Sequence, residues 1–94
     1  MSRFTRISFA SSARREIKRL SEDDRRELLD LLDLLEEEPL PHEALLMRGT
    51  EDTYRIRFGS NQMRLVYRYF SKAGLIKVMR IRPRGTAYKG MPNP

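Results

Sequence analysis

The sequence predicts an α+β domain in which two helices pack on one face of an antiparallel sheet. Strand-like alternation near the N-terminus is followed by two segments of helical periodicity, and then by three strand-like runs separated by turn residues. This order is typical of helices layered on a sheet. The chain has 94 residues and domains commonly contain about 100–150, so we predict a single domain over residues 1–94.

The first predicted elements are a strand and a short helix. Residues 3–9 alternate, imperfectly, between polar and apolar side chains, which favours a strand. Ser11 and Ser12 follow and are candidates for the N-cap of a helix over residues 12–20. The apolar positions that recur there at helical spacing are Ala13, Ile17 and Leu20.

The second predicted helix spans residues 22–38. Ser21 is its candidate N-cap, and acidic residues crowd the first turn, where the helix dipole favours negative charge. The helix ends before Pro39, because proline cannot continue it. Its apolar stripe is Leu28, Leu31, Leu32 and Leu35. Leu29 and Leu34 fall to either side of the stripe, so we expect an exposed apolar patch of the kind that binds a partner protein.

The second half of the chain predicts an antiparallel meander of three strands. The strand-like runs are residues 53–58, 62–69 and 75–82. Residues 59–61 and 71–74 between them have turn composition. Residues 43–48 link the helices to the meander and can add a short extended piece. Pro83 ends the last strand, and from about residue 85 we expect a loose tail.

Charge is segregated along the chain. The net charge is +6, and it divides into +5 over residues 1–20, −7 over residues 21–40 and +8 over residues 41–94. A protein that needs charge only for solubility intersperses the two signs. A basic body is typical of proteins that bind polyanions, of which nucleic acid is the commonest.

The predicted strands concentrate arginine on one face of the sheet. Side chains alternate across a strand, and the helices must cover the apolar face. The opposite face then carries Arg55, Arg57, Arg64, Arg68, Arg80 and Arg82. In the last strand the same parity puts Leu75, Met79 and Ile81 under the helices, and Ile76 and Val78 among the arginines. Lys77 interrupts that apolar set, and we expect its side chain to reach solvent from a strand end.

The composition of this face favours binding over simple solvation. We expect no acidic residue on it, and like charges that face each other across strands cost stability. A face that only contacts solvent would carry a mixture of Lys, Glu and Thr, and its opposite charges would be paired across strands. Arginine suits bidentate contacts with phosphate and stacking on bases. Tyr88, behind the last strand, is either an aromatic platform for a base or a lid on the core.

Several classes of protein are excluded by composition. There is no cysteine and only one histidine, so disulfides, thiolate metal sites and two-histidine metal sites are absent, and we expect neither metal nor cofactor. No run of about 18 apolar residues is present, which excludes a membrane span. Arg3 and Arg6 are not followed by the apolar run of a secretory signal, so we predict a cytoplasmic protein.

Runs in the meander form a recognisable pattern. They are Tyr54-Arg55-Ile56-Arg57-Phe58, Met63-Arg64-Leu65-Val66-Tyr67 and Ile81-Arg82-Pro83-Arg84 with Tyr88 behind it, preceded by Leu46-Met47-Arg48-Gly49. The pattern resembles the RelE/ParE superfamily of toxins from bacterial and archaeal toxin–antitoxin pairs. The resemblance covers nearly the whole chain in element order, and its most specific part is Arg-Leu-Val-Tyr in a strand.

The resemblance implies a function and a set of site residues. The RelE branch cleaves mRNA in the ribosomal decoding site, and the ParE branch poisons DNA gyrase without nuclease residues. For the RelE branch, which we favour, it implies Arg64, Arg84 and Tyr88 as catalytic residues. The expected RNA-binding residues are Arg55, Arg57, Arg68, Arg80, Arg82 and Lys89. The implied partners are a cognate antitoxin protein and mRNA on the ribosome.

One departure from the RelE pattern leaves the general base open. RelE enzymes carry lysines where this chain has Arg55 and Arg57, and arginine stays protonated where a lysine can lose its proton. Tyr88 and His42 are candidates for the base, and cleavage by positioning and electrostatics alone is the alternative. A gyrase inhibitor of the ParE type and an inactive nucleic-acid-binding relative therefore also stay open.

Overall fold

In a computed structural model of the protein, residues 4–59 and 63–83 are described, and they form two helices and a five-stranded sheet. The elements in chain order are β1 (Arg6–Phe9), α1 (Ser11–Ile17), α2 (Glu22–Glu37), β2 (Leu45–Leu46), β3 (Thr53–Phe58), β4 (Met63–Phe70) and β5 (Leu75–Pro83). The predicted α+β class is confirmed, and both helices pack against the same face of the sheet. The predicted tail from residue 85 lies outside the described residues.

The sheet has the strand order β1-β5-β4-β3-β2. The three long strands form the predicted antiparallel meander, with β4 in the middle. β2 is the short extended piece that residues 43–48 were expected to supply, and it pairs with β3. β1 pairs in parallel with β5, so the first and last described strands are neighbours at one edge.

The two helices begin in different ways. Ser21 caps α2 as predicted, since its hydroxyl accepts a hydrogen bond from the Asp24 N–H at 3.1 Å. The predicted N-cap role of Ser11 and Ser12 is wrong, because α1 starts one residue earlier, with Ala10 as its N-cap. The Ala10 N–H still belongs to the sheet and donates to the Val78 carbonyl at 2.8 Å. The Ser12 hydroxyl donates to the Met79 carbonyl instead of capping the helix.

The main core lies between the helices and β3, β4 and β5. The predicted stripe of α2 supplies Leu28, Leu31 and Leu35, and the parity predicted for β3 and β4 is confirmed. The strand residues of this core are Ile56, Phe58, Met63, Leu65, Tyr67, Ile76, Val78 and Ile81. Tyr67 is fully buried, stacks on Tyr54 and donates its hydroxyl to the Pro39 carbonyl at 2.7 Å. Its buried phenol is therefore hydrogen-bonded, as a polar group in a core must be.

The parity predicted for β5 is wrong up to Met79 and correct after it, where Ile81 lies under the helices and Arg80 and Arg82 lie on the opposite face. Val66 is paired with Arg80 and Tyr67 with Val78, so that Met79 is an extra residue in a bulge. The bulge shifts the alternation by one residue, and the helix side receives Ile76 and Val78 before it and Ile81 after it. Lys77, opposite Arg68, therefore lies on the arginine face.

A second, smaller apolar cluster forms on the arginine face. Met79 packs there with Val66 and with Met47, which follows β2 in the chain. Met47 and Val66 are both almost fully buried. The face opposite the helices is thus partly covered rather than fully open to solvent.

The end of β3 lies close to the start of α2. Gly59 follows β3 with a φ of 78°, and a Cβ on it would lie 2.7 Å from an oxygen of Asp24. Glycine is required there both by the backbone conformation and by the close approach. Neither described helix is long and apolar enough to cross a membrane.

Candidate nucleic-acid interface

A row of three arginines crosses the sheet opposite the helices. Arg64 in β4 is paired with Arg57 in β3 on one side and with Arg82 in β5 on the other. Neighbouring strands are about 4.8 Å apart, so the three side chains start within about 10 Å of one another. Arg64 is only 8% exposed because it stands on the central strand between the other two. These register pairs bring together three of the residues that the sequence predicted for the site.

The other predicted arginines lie in two further rows. Arg55 and Arg80 flank Val66, and Arg68 is flanked by Thr53 and Lys77. The cluster of Met47, Val66 and Met79 therefore interrupts the positive surface between the row of Arg64 and the row of Arg68. The positive surface is therefore not one continuous patch. It has a first end at the row of Arg57, Arg64 and Arg82 and a second end at Arg68.

At the first end, a buried carboxylate from α1 holds β5. Glu16 is 7% exposed and accepts a hydrogen bond from the Ile81 N–H at 2.8 Å. The same carboxylate is ion-paired with Arg82 and lies 3.8 Å from the Arg80 guanidinium. The described pairing of β1 with β5 ends at Phe9 and Val78. Beyond that point, side chains of α1 take the place of a strand along this edge of β5.

At the second end, an ion pair neutralises Arg68. Its guanidinium contacts both carboxylate oxygens of Asp52, at 2.8 and 3.3 Å, and lies 4.7 Å from the centre of the Phe70 ring. The hydrogen bond from Arg68 lowers the pKa of the Asp52 carboxyl, and its partner carboxylate in turn raises the pKa of Arg68. Arg68 is thereby fixed by contacts within the protein.

The expectation that the arginines have no acidic neighbours is therefore wrong. Both carboxylates come from outside the long strands, Glu16 from a helix and Asp52 from the segment before β3. Alternation along strands says nothing about such residues. Of the six predicted arginines, Arg68, Arg80 and Arg82 form ion pairs with them.

Two concave regions flank the Glu16 end. A pocket of about 190 Å³ is lined by Ser12, Arg15, Glu16, Arg19, Arg80 and Arg82. A larger cleft of about 460 Å³ lies between the turn that joins α1 to α2 and the end of β5 at Pro83. Sequence reasoning missed Arg15, Glu16 and Arg19. Their signal was the four-residue spacing of Ser12 and Glu16 and of Arg15 and Arg19, which puts each pair on one side of α1.

Of the remaining predicted residues, three lie outside the described part of the chain and one is exposed in a loop. Arg84, Tyr88 and Lys89 lie outside the described residues. His42 is exposed in the loop between α2 and β2. Tyr67 is unsuited to proton transfer, because burial raises the pKa of its phenol. Within residues 4–59 and 63–83, no group of three acidic or histidine side chains is arranged to hold a metal ion.

Comparison with known proteins adds a family and a set of related structures. The sequence model of the family described as the ParE toxin of the type II toxin–antitoxin system parDE matches residues 7–88. No curated protein matches the chain by sequence.

The structural matches are to RelE toxins. RelE in the intact Escherichia coli RelBE toxin–antitoxin complex is 28% identical, with a TM-score of 0.75, over 84% of this chain and 95% of that one. RelE in the archaeal RelE–RelB complex from Pyrococcus horikoshii OT3 is 28% identical, with a TM-score of 0.72, over 89% and 99%. Isolated E. coli RelE is 26% identical, with a TM-score of 0.76, over 90% and 92%.

Proposed function

The chain belongs to the ParE toxin family of type II toxin–antitoxin systems, within the RelE/ParE superfamily, and we propose that it is a ribosome-dependent mRNA endoribonuclease that inhibits translation. The observation that carries this proposal is the row of Arg57, Arg64 and Arg82 across three adjacent strands. It concentrates positive charge at the end of β5, directly before Arg84. The similarity in fold to RelE toxins supports the same branch.

The reaction is the internal cleavage of RNA. The 2′-hydroxyl oxygen attacks the adjacent phosphorus, a bond forms between them, and the bond from phosphorus to the 5′-oxygen breaks. The hydroxyl proton passes to a base, the leaving 5′-oxygen gains a proton, and a 2′,3′-cyclic phosphate results. A protein accelerates this step by holding the attack in line and by stabilising the extra negative charge on the phosphate oxygens.

The proposed roles of the arginines follow from their surroundings. Arg64 stabilises charge on the scissile phosphate, since it is the most buried of the row and donors held rigidly out of water act most strongly. Arg82 is oriented by Glu16 and, with the exposed Arg57, binds the strand beside that phosphate. Arg55 and Arg80 extend the binding surface by one row. Arg84 provides a second stabilising charge, and Lys89 an additional contact with RNA.

Proton transfer falls to Tyr88 in this proposal. The lysines of the RelE pattern are replaced by Arg55 and Arg57, which remain protonated and cannot serve as a base. Proton transfer by a positioned group contributes roughly 10²–10⁴-fold. Tyr88→Phe separates this assignment from cleavage by positioning alone, because only the former predicts a loss of that size.

The partners follow from the type of toxin. We propose that a cognate antitoxin protein binds the chain, as RelB binds RelE in the E. coli and P. horikoshii complexes. Leu29 and Leu34 on α2 are 57% and 41% exposed and are candidate contacts for such a partner. Since the proposed substrate is mRNA on the ribosome, the site of action is the cytoplasm.

The test is brief expression of the chain without an antitoxin. We expect incorporation of labelled amino acids to stop first, and primer extension on abundant mRNAs to show new 5′ ends within translated regions. The chain with Arg64→Ala, expressed to the same level, is the control and should produce neither effect. Intact mRNAs during arrest of translation would contradict the nuclease assignment.

A second candidate is inhibition of DNA gyrase. It is favoured by the match to the ParE toxin family and by arginine at both lysine positions of the RelE pattern. It predicts an early stop in DNA synthesis while translation continues, which the same pulse-labelling detects. A chain that stops neither process would be an inactive relative that only binds nucleic acid.

A further inference from the structure

Helix α1 and the end of β5 enclose a strongly positive pocket. Four arginines line it: Arg15 and Arg19 from α1 and the turn after it, and Arg80 and Arg82 from β5. Glu16 is the only carboxylate among the described lining residues, so the pocket carries a formal charge of three positive units. From these side chains we infer that the pocket binds a phosphate group of a single-stranded RNA backbone, at the edge of the sheet and beside the arginine row.

The β5 side of the pocket is rigid. Glu16 is buried, accepts the Ile81 N–H and is ion-paired with Arg80 and Arg82, so these two guanidiniums are held at the pocket wall before a ligand arrives. Preorganised donors bind an anion without the entropic cost of ordering long side chains. A guanidinium has five N–H donors, so the 3.8 Å contact of Arg80 with Glu16 uses only part of its hydrogen-bonding capacity.

The α1 side supplies charge that the protein does not neutralise. Arg15 and Arg19 are exposed, four residues apart, and neither forms an ion pair within the described part of the chain. Two extra cations beside an already paired Glu16 raise the self-repulsion of the folded state. A phosphate would offset that repulsion and could accept bidentate hydrogen bonds from guanidinium groups.

The size of the pocket selects the class of ligand. Its volume of about 190 Å³ is below the range of about 300–1,000 Å³ typical of sites that enclose a small organic molecule. It suits a phosphate group with a few waters, and it excludes an enclosed nucleoside. Arg82 belongs both to the pocket and to the row of Arg64, so a strand that crosses the row can continue into the pocket.

This inference rests on the proposed function for the identity of the strand, but its test does not depend on cleavage. The probe is a fluorescent single-stranded oligonucleotide with 2′-O-methyl riboses, which cannot be cleaved by attack of the 2′-hydroxyl. Its dissociation constant is measured by fluorescence anisotropy at a series of KCl concentrations. The variant is Arg15→Ala with Arg19→Ala, and the matched control is Arg14→Ala with Lys18→Ala. The control removes two cations of the same helical segment at the same spacing, neither of which lines the pocket.

The expected result is a specific loss of one phosphate contact. The slope of log affinity against log salt concentration should fall by about 0.7 in the Arg15/Arg19 variant, which is about fivefold in affinity for a tenfold change in salt. The control should keep the slope of the parent. All four positions are exposed, so both variants should remain folded in thermal melts, and the Arg15/Arg19 variant should melt no lower than the parent. Equal slopes in the two variants, whether both fall or neither does, would overturn the inference.

Two further arms identify the source of the phosphate. If inorganic phosphate perturbs the Arg15 and Arg19 guanidinium NMR signals while the oligonucleotide slope is unchanged by the variant, the pocket takes a free anion and the inference is wrong.

Primer extension separates the proposal of a nuclease from the proposal of a phosphate site. A parent chain that leaves mRNA intact, yet shows the slope difference, fails as a nuclease and keeps the phosphate site. A chain that cleaves with equal slopes loses only the phosphate site.

Discussion

The two ends of the arginine face use the same residue type for different purposes. At one end Arg57, Arg64 and Arg82 form a row, and Glu16 anchors only its β5 side. At the other end Arg68 is paired one-to-one with Asp52 and packs on Phe70. The carboxylates differ as well, because the side chain of Glu16 is 8% exposed and that of Asp52 is 33% exposed.

This difference shows that counting arginines on a sheet face overstates its affinity for anions. Arg68 is balanced by a carboxylate of the protein, so an incoming phosphate must compete with Asp52 for it. Within residues 4–59 and 63–83, the ion pairs of the Arg64 row and of Arg80 are with the carboxylate of Glu16, so arginines outnumber carboxylates at this end. The end at the row of Arg64, the surplus end, is therefore where binding of a polyanion is most favourable. The end at Arg68, the balanced end, serves mainly to hold the segment before β3 on the sheet.

The largest expected effect of a single substitution is on stability at the surplus end. Glu16→Ala should lower the free energy of unfolding by about 3–5 kcal/mol, because it leaves the buried Ile81 N–H without its acceptor and removes the carboxylate from the partly buried guanidiniums of Arg80 and Arg82. Asp52→Ala, which breaks a half-exposed ion pair, should cost at most about 1 kcal/mol. Urea denaturation of the two variants measures both values. Equal losses would mean that burial does not distinguish the two ends.

The next effect is on catalysis. Arg64→Ala should lower the rate of mRNA cleavage on the ribosome by about 10²–10³, the usual loss when one preorganised donor to a charged transition state is removed. Because Arg64 is buried, Arg64→Lys is the companion variant, which keeps a charge on the central strand. Circular dichroism confirms that both remain folded. Cleavage at the parental rate by Arg64→Ala would remove the row from the active site.

A smaller effect is expected at the balanced end. Arg68→Ala should weaken RNA binding and reduce the salt slope by at most about one unit, with cleavage retained. Titration of the non-cleavable oligonucleotide at several salt concentrations measures the slope. An Arg68→Ala chain that binds normally but cannot cleave, beside an active Arg64→Ala chain, would reverse the roles assigned to the two ends.

The smallest effect is a dependence of stability on pH. The hydrogen bond from Arg68 lowers the pKa of Asp52 below the ordinary value of 3.8. The stabilisation of the folded state by this pair is therefore fully present above that value and is lost as the pH falls through the folded-state pKa. Both partners are about a third or more exposed, so the contribution should not exceed about 1 kcal/mol. This contribution is isolated by comparing the urea midpoints of the parent and of Asp52→Asn at acidic pH. A parallel decline in both would assign the pH effect to other carboxyl groups.

The fold was predictable where local signals act alone. The Ser21 cap, the leucine stripe of α2 and the alternation of β3 and β4 depend on neighbours within a few residues, and all are confirmed. The parity predicted for β5 failed before Met79, because one extra residue there shifts the alternation, and it held for residues 80–82. Lys77, which interrupted the expected apolar set, was the sign of that shift.

The site was predictable only in part, for a physical reason. Alternation places arginines on a face, and it does not give the register that aligns Arg57, Arg64 and Arg82 in one row. Alternation also gives no information about side chains that contact the sheet from other segments of the chain. Glu16 and Asp52 contact the arginines through tertiary packing, which no spacing within the strands encodes.

The parallel pairing of β1 with β5 has a consequence for the order of folding. The contacts that fix the β5 edge span most of the chain, since Ser12 and Met79 are 67 residues apart and Glu16 and Ile81 are 65 apart. Closing such a loop costs about 2.5 kcal/mol more than closing a four-residue turn like that of residues 71–74. We therefore expect the β3–β4–β5 meander to assemble first, and β1 and α1 to dock onto it last. During synthesis the row of arginines acquires its Glu16 anchor only after β5 has left the ribosome.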